Sequence, residues 1–372
     1  MSPRARVGLL FGGVSVEHEV SVVSARGVAA ALDPARFETV PLAIAGDGSW
    51  LDPEDSARLL FSEAKRIEAR AAGAKLVVDP GRGGLVRLAR ASEPQPVPLD
   101  AVFSVVHGWG GEDGRVQGLL ELAGIPCVGA GVLGSAAGMD KQVAKALFQE
   151  RGLPVGPWRA LLRSDWTKDR VGAEATLVSA LGLPMFVKPA NGGSSVGISK
   201  VHRSPELQAA LELAFAHDRK IVVEKGLDAR EIECAVLGND NPEASVLGEI
   251  VPSGEFYDYA AKYEDGTSTL RIPAPLPAGL AESIRTLAIA AFRALDLAGM
   301  ARVDFFVEKG SDRVFLNEVN TLPGFTPISM YPKLWEATGL SYRELLTRLI
   351  ELARARAEEE RHRVSRRGGD GS

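Results

Sequence analysis

The stretch RVDFFVEKGSDRVFLNEVN, residues 302–320, has two apolar segments on either side of a turn-like EKGSDR, which is the pattern of a β-hairpin. Because side chains on a strand alternate between its two faces, Arg302 and Asp304 share one face, as do Glu318 and Asn320 on the returning strand. With the turn at the centre of the stretch, Asp304 lies opposite Glu318 and Arg302 lies opposite Asn320. A hairpin otherwise made of Val, Phe and Leu thus gathers two carboxylates, an amide and a guanidinium on one face.

Two interpretations of this polar face are open. Carboxylate and amide oxygens are hard ligands suited to Mg²⁺ beside the phosphates of a nucleotide. The alternative is the solvated outer face of a two-sided sheet, where charges on strands usually lie. The segment VFLNEV is mostly apolar on both faces, so a carboxylate within it needs partners. We therefore favour a binding site.

Composition and charge restrict the class of protein. The chain has 372 residues, of which 45% are hydrophobic and 24% charged, which is ordinary for a soluble globular protein of two or three domains. Its formal net charge of −5 gives no basic surface for nucleic acid. No apolar run reaches membrane-spanning length, and the apolar part of MSPRARVGLLFGG is too short for a signal peptide. We expect a cytoplasmic protein that binds neither membrane nor nucleic acid.

The two cysteines, Cys127 in GIPCVGA and Cys234 in EIECAVLG, lie in strand-like apolar surroundings. We expect both to be buried thiols in a reducing compartment. No His/Cys spacing typical of metal sites occurs, and there is no G-x-S-x-G elbow. Of the five scattered histidines, His107 in VVHGWGGEDG is the one beside a glycine-rich loop.

The first part of the chain alternates strands and helices. Strands are predicted at RVGLLF, FETVPLAI, AVFSVVHG and IPCVGA, and helices at SVVSARGVAAAL and VQGLLELAG. Such alternation is typical of a parallel, doubly wound sheet. Residues 54–98 give no clear pattern and are interpreted as an elaboration of this unit.

A second unit begins with a predicted helix of about 17 residues that ends at Gly152. It continues with strand PMFVKPA, loop NGGSSVG, strand ISKV, a helix from Pro205, and strand KIVVEKG. A third unit contains strands REIECAVLG and ASVLGEIVP, a helix from Ala278 and the hairpin. We expect TLPGFTPISMYPKLW to be irregular because of its Pro and Gly content, and the last helix to run from about Tyr342 into a frayed, charged tail.

The stretch FVKPANGGSSVGISKV places a lysine at the end of a strand and a Gly/Ser loop directly after it. Small residues let backbone N–H groups and hydroxyls approach phosphate oxygens closely, although this is not a Walker A loop. Lys141, Lys188 and Lys225 all lie at ends of elements, and three lysines converging on a triphosphate would be sensible electrostatics. A plain hairpin connection with ordinary surface lysines is the other interpretation.

The N-terminal turn LLFGGVSVEHEVS runs from a strand through Gly-Gly into a helix, as in dinucleotide-binding folds. However, G-x-G-x-x-G is absent, and Glu17 and Glu19 near the helix N-terminus would repel a pyrophosphate. A carboxylate in this crevice suits an ammonium group. The alternative for one of the two is simple stabilisation of the helix N-terminus.

The stretch SGEFYDYAAKYEDGTSTLRIP holds three of the five tyrosines, with a lysine among them and a glycine on either side. One interpretation is a mobile aromatic lid that excludes water. An ordinary surface hairpin is the other.

Taken in chain order, these motifs resemble the D-alanine–D-alanine ligases of the ATP-grasp superfamily. The matching stretches lie between residues 12 and 332 and are GGVSVEHEVS, HGWGGEDGRVQGLLEL, GSAAGMDK, FVKPANGGSSVGISKV, EKGLDAREIECAVLG, YDYAAKY, ARVDFF and LNEVNTLPGFTPISMYP. Each stretch alone is modestly specific, but the ordered set is highly specific. The departures are small and concern Trp109, Gly110 and Met330.

The resemblance implies a fold and a division of the chain. The implied fold is α/β, and α+β in its ATP-grasp part, with an N-terminal doubly wound parallel sheet domain followed by a two-lobed ATP-grasp fold. The implied parts are a Rossmann-like N-terminal domain at 1–130, a central ATP-grasp subdomain at 131–226, a C-terminal ATP-grasp subdomain with lid and metal site at 227–360, and a flexible tail at 361–372.

The resemblance also implies how ATP and metal are held. Two Mg²⁺ ions, or Mn²⁺ as a substitute, would bind to the hairpin, with Glu318 bridging them; the implied ligands are Asp304, Glu318 and Asn320. The implied ATP-binding residues are Lys141, Lys188 and Ser195 at the phosphates, Lys262 near the γ-phosphate, Glu224, Lys225 and Leu227 at the adenine, and Glu231 at the ribose.

For the amino-acid substrates, the resemblance implies that Glu17 binds the ammonium of the first D-alanine and is hydrogen-bonded by Ser194 and Tyr263. Arg302 and the backbone N–H of Gly324 would stabilise the tetrahedral intermediate. The residues implied at the second D-alanine are His107, Ser329 and Met330.

The implied activity is ATP-dependent ligation of two D-alanines to D-alanyl-D-alanine through D-alanyl phosphate, for peptidoglycan precursor synthesis, by a cytoplasmic homodimer. Two alternatives stay open: another ATP-grasp carboxylate–amine ligase, and a non-catalytic nucleotide-binding protein. The absence of G-x-G-x-x-G argues against NAD. The complete set of lysines and metal ligands argues against an inactive protein.

Overall fold

The computed structural model of the chain describes residues 3–67, 74–79, 81, 84–89, 93–251 and 269–365. These ranges contain a parallel N-terminal sheet, a small antiparallel meander, a central sheet and a C-terminal sheet, the last two being antiparallel. Across the described residues, no helix is both long enough and apolar enough to span a membrane.

The N-terminal sheet places the strand Ala5–Gly12 between Phe37–Ile44 and Ala101–Ser104, all parallel. The central strand is buried from its third residue onward, as expected for an apolar strand covered on both faces. The helices His18–Ala31 and Arg115–Leu122 follow the first and third strands. The parallel α/β unit predicted from the alternation of elements is therefore confirmed.

The strand predicted at IPCVGA is wrong, because this segment makes only an isolated parallel bridge, between Val102 and Cys127. The carbonyls of Cys127 and Gly129 accept hydrogen bonds of 3.1 and 2.6 Å from the guanidinium of Arg356, where a strand would use a neighbouring backbone. Gly129 has a φ of +99°, which lies outside the β region. The apolar run therefore pairs with the edge strand only at Val102, through backbone hydrogen bonds with Pro126 and Val128, and does not continue as a strand.

Residues 54–98, for which the sequence gave no clear pattern of helices and strands, contribute to a helix and a meander. The helix Pro53–Leu60 begins after Asp52, whose carboxylate accepts from the Asp55 backbone N–H at 2.9 Å, a favourable N-cap. An ion pair of 3.2 Å between Arg87 and Asp52 joins the meander to this helix. The meander strands are Ala74–Asp79, Gly84–Ala89 and Gln95–Val97.

The single helix predicted to end at Gly152 is divided into Val132–Met139 and Lys141–Glu150. Asp140 causes the break, because its carboxylate accepts from two backbone N–H groups of the second helix. An Asp at such a position favours a new helix start over continuation of the old one. The break starts the second helix at Lys141, beside the Gly/Ser loop.

The central sheet has the strand order Trp158–Leu162, Lys220–Lys225, Met185–Pro189, Ser199–Val201. The strands predicted at PMFVKPA, ISKV and KIVVEKG are thus confirmed. The sheet is covered by helices whose apolar residues share its core. These helices are Arg163–Lys168, Arg170–Leu181 and Leu207–His217, the last preceded by a 3-10 turn at Ser204–Glu206.

The C-terminal sheet has the strand order Thr269–Arg271, Glu243–Val251, Ala229–Gly238, Gly299–Glu308, Val314–Asn320. Its helices are Ala278–Ala294, Met330–Thr338 and Tyr342–Ser365. The helix within TLPGFTPISMYPKLW contradicts the expectation of an irregular segment. Pro332 is tolerated there because it lies in the first turn, where backbone N–H groups have no partner within the helix.

The register predicted for the hairpin is confirmed. Asp304 pairs with Glu318 and Arg302 pairs with Asn320. The pairing is not regular along the hairpin. Phe305 pairs with Leu316, so Asn317 is an extra residue between this pair and the pair of Asp304 with Glu318. The predicted pairing therefore depends on a β-bulge, which the alternation of side chains does not reveal.

The N-terminal and C-terminal sheets share a hydrophobic core. Phe325 packs against Phe103 of the N-terminal sheet with ring centroids 5.2 Å apart. The buried hydroxyl of Tyr331 donates to the carbonyl of Val236 in the C-terminal sheet at 2.9 Å. Residues of Tyr342–Ser365, including Leu345 and Leu349, belong to the same cluster. This packing fixes the N-terminal turn against the polar face of the hairpin.

Candidate active site

A cavity of about 880 Å³ is lined by residues of the N-terminal unit, the central sheet and the C-terminal sheet. It is lined by every predicted site residue that the structure describes: Glu17, His107, Lys141, Lys188, Ser194, Ser195, Glu224, Lys225, Leu227, Glu231, Arg302, Asp304, Glu318, Asn320, Gly324, Ser329 and Met330. Lys262 and Tyr263 lie outside the described residues, so their roles stay predictions.

One wall of the cavity carries a buried cluster in which Glu224 lies between two lysines. Lys188 Nζ donates to Glu224 Oε2 at 2.9 Å, and Lys145 Nζ lies 3.0 Å from Glu224 Oε1. The three residues are between 4% and 8% exposed. Such charges require close partners, because burial removes their hydration.

The pKa values in this cluster follow from the balance between burial and charge. Burial raises the pKa of Glu224, but Lys145 and Lys188 outweigh it and lower this pKa to about 2. Burial lowers the pKa of Lys188, but Glu224 and Glu318 outweigh it, so the pKa of Lys188 is raised. For Lys145 burial prevails and its pKa is lowered. The Lys188–Glu224 pair is thus fully ionised at neutral pH.

The Gly/Ser loop is held against the cavity by Lys141, whose Nζ donates to the carbonyl of Gly192 at 2.7 Å. The same ammonium lies 4.0 Å from Glu318 Oε2, so it stands between the loop and the hairpin. Ser194 and Ser195 have φ values of +48° and +60°, which are unusual for residues other than glycine. Backbone strain of this kind is concentrated at functional sites.

Glu17 is the acidic residue of the N-terminal turn that reaches the cavity. It is buried, whereas Glu19 is exposed in the first turn of the following helix. The predicted hydrogen bond is present, with Ser194 Oγ donating to Glu17 Oε1. A Cβ at Gly108 would lie 2.5 Å from Glu17 Oε2, so the crevice around this carboxylate depends on the absence of a side chain there.

His107 is buried beside Glu17 and has contacts at both ring nitrogens. Nδ1 lies 3.3 Å from Glu112 Oε1, and Nε2 lies 3.4 Å from Ser24 Oγ. Burial lowers the pKa of His107, but the hydrogen bond and charge of Glu112, with the charge of Glu17, outweigh it and raise the pKa. The acidic neighbours therefore favour a protonated imidazole in this part of the cavity.

The polar face of the hairpin is organised by Arg302. Its Nε and Nη2 donate to the two carboxylate oxygens of Asp304, both at 2.7 Å. Its Nε also lies 3.2 Å from Glu233 Oε2. Burial opposes the charge of Arg302, but Asp304 and Glu233 raise its pKa well above the ordinary value. The guanidinium is permanently charged and points along the cavity wall.

The donor set on this face fits a hard divalent cation. Asp304 and Glu318 lie opposite each other, and Asn320 is on the same face, which gives carboxylate and amide oxygens. Asn320 Oδ1 accepts from the Leu322 backbone N–H at 3.1 Å, which orients the amide and leaves its oxygen a second lone pair. Within the described ranges, no three His, Cys, Asp or Glu side chains form a metal group by themselves; the predicted set has two carboxylates and one amide.

The predicted second-substrate end of the cavity lies at the start of the helix Met330–Thr338. Ser329 Oγ lies 2.8 Å from Thr326 Oγ1 and accepts from the Thr326 backbone N–H at 3.0 Å. A Cβ at Gly324 would lie 2.7 Å from Ser329 Oγ, so glycine allows this close approach. A helix N-terminus with free N–H groups and a hydroxyl suits a carboxylate.

The predicted adenine and ribose residues continue from the Lys188–Glu224 pair. Lys225 ends its strand, and the following Gly226 donates to the carbonyl of Pro184 at 2.8 Å. Leu227 and Glu231 line the cavity just beyond this turn.

Among the charged residues that line the cavity, sequence reasoning missed Lys145, Glu233 and Glu112, which contact predicted site residues. Lys145 follows Lys141 by one helical turn, so the helical period was a usable signal. Glu233 follows Glu231 at strand spacing, which is a comparable signal. Glu112 lies in an irregular loop, where spacing gives no such information.

Two antiparallel sheets enclose this cavity, with buried lysines on one wall and paired carboxylates on the other, and a parallel sheet supplies its N-terminal edge. This is the architecture of an ATP-grasp ligase. The family profile described as D-ala D-ala ligase N-terminus matches residues 6–130, and the one described as D-ala D-ala ligase C-terminus matches residues 147–351. The chain belongs to the D-alanine–D-alanine ligase family.

Individual relatives agree over nearly the whole chain. D-alanine–D-alanine ligase A of Chromobacterium violaceum is 52% identical over 94% of this chain and 95% of its own. D-alanine–D-alanine ligase of Deinococcus radiodurans is 49% identical over 94% and 98%. Solved structures of D-alanine–D-alanine ligase from Coxiella burnetii (TM-score 0.82, covering 97% of both chains) and of the VanG D-Ala:D-Ser ligase from Enterococcus faecalis (TM-score 0.81, covering 94% and 100%) are each 36% identical.

Proposed function

We propose that this protein joins two molecules of D-alanine into D-alanyl-D-alanine at the expense of ATP, for peptidoglycan precursor synthesis. The proposal rests on one observation: in this member of the D-alanine–D-alanine ligase family, three kinds of chemical group line the same cavity. Buried lysines suit phosphates, the hairpin oxygens suit a divalent cation, and Glu17 suits an ammonium group. The hairpin oxygens and Glu17 lie about three hundred residues apart in the chain, which argues against chance.

The first chemical step activates a carboxylate, which is a poor electrophile. A carboxylate oxygen of the first D-alanine attacks the γ-phosphorus of ATP, the bond to the β–γ bridging oxygen breaks, and ADP leaves. The product is D-alanyl phosphate. Lys141 and Lys188 offset the phosphate charge, and Glu17 orients the substrate by its ammonium group. Asp304, Glu318 and Asn320 would hold two Mg²⁺ ions, or Mn²⁺, which when bound neutralise charge on the phosphate oxygens.

The second step forms the peptide bond. The amine of the second D-alanine, after its ammonium group has lost a proton, attacks the acyl carbon. The bond from this carbon to the phosphate oxygen breaks, and inorganic phosphate leaves with one oxygen of the original carboxylate and one proton from the nitrogen. Arg302 and the backbone N–H of Gly324 stabilise the oxyanion of the tetrahedral intermediate. Ser329 and the backbone of Met330 hold the carboxylate of the second substrate, and His107 lines its position. Exclusion of water protects the acyl phosphate from hydrolysis, and residues around Tyr263 supply the cover.

Further parts of the proposal follow from family membership. The chain works as a cytoplasmic homodimer, with neither nucleic acid nor membrane as a partner. Its functional units are residues 1–130, 131–226 and 227–360, followed by a tail at 361–372. Lys262 acts near the γ-phosphate, and Ser195 at the phosphates. The separate profile matches to residues 6–130 and 147–351 support a division between the first and second units.

The proposal is tested with a panel of D- and L-amino acids scored for ADP release by the purified protein. We expect strong stimulation by D-alanine alone. D-serine belongs in the panel because a structurally similar enzyme is a D-Ala:D-Ser ligase. Stimulation by L-amino acids but not by D-alanine would indicate another carboxylate–amine ligase, and no stimulation at all would indicate a nucleotide-binding protein without this activity.

A further inference from the structure

Lys145 is a buried lysine that the proposed reaction does not use. It lies on the helix Lys141–Glu150, one turn after Lys141, and lines the same cavity. It is 4% exposed, and lysines are almost never buried to this extent unless they are paired. Its contacts therefore indicate what it does.

The ammonium of Lys145 joins two separate sheets. Its Nζ lies 3.0 Å from Glu224 Oε1 on the central sheet. It also donates to the backbone carbonyl of Asn317 on the hairpin of the C-terminal sheet, at 2.9 Å. A single cation thus fixes the distance between the two walls of the cavity.

The contact at Asn317 falls on the residue that decides which way the hairpin carboxylate points. Asp304 pairs with Glu318, whereas Phe305 pairs with Leu316, so Asn317 is the extra residue of a β-bulge. In a regular hairpin with the same turn, Asp304 would lie opposite Asn317, and Glu318 would lie on the other face of the sheet. The bulge therefore places Glu318 in the cavity, and Lys145 donates to its backbone.

The contact at Glu224 acts on the other wall. The second carboxylate oxygen of Glu224 accepts from Lys188 Nζ at 2.9 Å. Lys145 and Lys188 thus hold the carboxylate from both sides, and the position of Glu224 fixes the position of Lys188. Without Lys145, only the carboxylate oxygen that faces Lys188 would keep its lysine partner.

We propose that Lys145 is a positioning residue that sets the metal-binding hairpin and the phosphate-binding lysine at the same time, through the Asn317 bulge and through Glu224. The proposal rests on the proposed function, because the tasks of Glu318 and Lys188 are those given there. It requires Lys145 to affect metal and nucleotide together, whereas Glu224 affects the nucleotide alone.

Three variants separate these effects in the full-length protein without D-alanine. Lys145→Met removes the ammonium but keeps the length of the side chain. Glu224→Gln removes the carboxylate charge and leaves the Lys145–Asn317 hydrogen bond available. Lys168→Met is the matched control, because Lys168 is an exposed lysine with its own ion pair, to Asp165. Mn²⁺ affinity is measured by electron paramagnetic resonance at saturating ADP, and ADP affinity by calorimetry at saturating Mg²⁺.

We expect Lys145→Met to weaken both affinities by about tenfold, the scale of one charge-assisted hydrogen bond. Glu224→Gln should weaken ADP binding by a similar factor and leave Mn²⁺ binding unchanged, and Lys168→Met should change neither. Thermal unfolding shows whether Lys145→Met is folded. If the folded variant binds Mn²⁺ as tightly as the wild type does, the proposal is overturned.

If Lys145→Met does not fold, Glu224→Gln is the deciding variant. A loss of Mn²⁺ affinity in Glu224→Gln would contradict the proposal that Lys145 acts on the metal site through Asn317 and not through Glu224. A wild-type protein that binds Mn²⁺ and ADP but forms no dipeptide would contradict the proposed function without affecting this test.

Discussion

Glu318 shows how the neighbours of one side chain decide its chemistry. It faces Asp304 across the hairpin, lies 4.0 Å from Lys141, and keeps 38% of its side chain exposed to the cavity. Its charge also helps to raise the pKa of Lys188. A carboxylate that is accessible and surrounded by cations can bind a ligand, whereas a fully enclosed one stabilises the fold.

We predict that Glu318→Gln lowers turnover by more than about a hundredfold, because metal ligands matter at least as much as the groups that orient them. The thermal midpoint should change little, since the amide fits the same space and the lost charge was accessible. ADP release at saturating Mg²⁺ and thermal unfolding measure the two effects. Glu336→Gln, at an exposed position outside the cavity lining, is the control; turnover near wild type in Glu318→Gln would show that the hairpin face is merely solvated.

At the residue scale, strand alternation placed Arg302 with Asp304 and Glu318 with Asn320, and the assumed turn position brought the two pairs to one face. Neither could show the bulge at Asn317 on which this arrangement depends. Residue patterns alone could not choose between Glu17 and Glu19, since both lie at a helix N-terminus; the family resemblance chose Glu17. The choice depends on tertiary burial against Ser194, which is distant in sequence.

The glycine-rich loop after the strand Ala101–Ser104 shapes the crevice around Glu17. Gly108 and Gly110 both have positive φ, at +71° and +89°. A Cβ at Gly108 would meet Glu17 Oε2 at 2.5 Å, whereas a Cβ at Gly110 would meet nothing within 4 Å. The two positions therefore share the backbone requirement and differ in their effect on the carboxylate.

We predict that Gly108→Ala raises the KM for D-alanine by about tenfold or more, because the new methyl group displaces the carboxylate that binds the ammonium. Gly110→Ala should leave this KM near the wild-type value. Both variants should lose about 1–2 kcal/mol of stability from the left-handed backbone. Initial rates against D-alanine concentration and urea unfolding give the two numbers, and an equal rise of KM in both variants would contradict the role of the crevice.

At the element scale, strongly patterned strands and helices were predictable, and their interruptions were not. IPCVGA has the composition of a strand, but two of its carbonyls accept hydrogen bonds from Arg356, which is more than two hundred residues away in the chain. The helix break at Asp140 depends on a cap that also forms an ion pair with Lys220. The helix Met330–Thr338 was missed because Pro332 indicates a break everywhere except in the first turn.

At the scale of the whole molecule, the helix Tyr342–Ser365 connects the C-terminal sheet to the N-terminal one. Arg356 makes this connection specific, because its guanidinium donates to the carbonyls of Cys127 and Gly129. Cys127 lies beside Val102 of the strand Ala101–Ser104, and this strand leads to His107. The end of the chain thus stabilises the edge of the sheet that carries the amino-acid end of the cavity.

We predict that Arg356→Met lowers the free energy of unfolding by about 1–3 kcal/mol, because two carbonyls lose a charged donor. Arg354→Met, at an exposed position of the same helix, should change it by less than about 0.5 kcal/mol. Urea unfolding of both variants is the measurement. Equal stability of the two variants would show that the Arg356 contacts contribute nothing to holding the sheets together.

The central claim is that a D-alanine carboxylate is phosphorylated before the peptide bond forms, and oxygen transfer tests it most directly. The wild-type protein is incubated with ATP, Mg²⁺ and D-alanine labelled with ¹⁸O in its carboxylate, and the phosphate and dipeptide are analysed by mass spectrometry. We expect D-alanyl-D-alanine together with inorganic phosphate that carries a single ¹⁸O atom per molecule. Unlabelled phosphate, or labelled phosphate without the dipeptide, would contradict it.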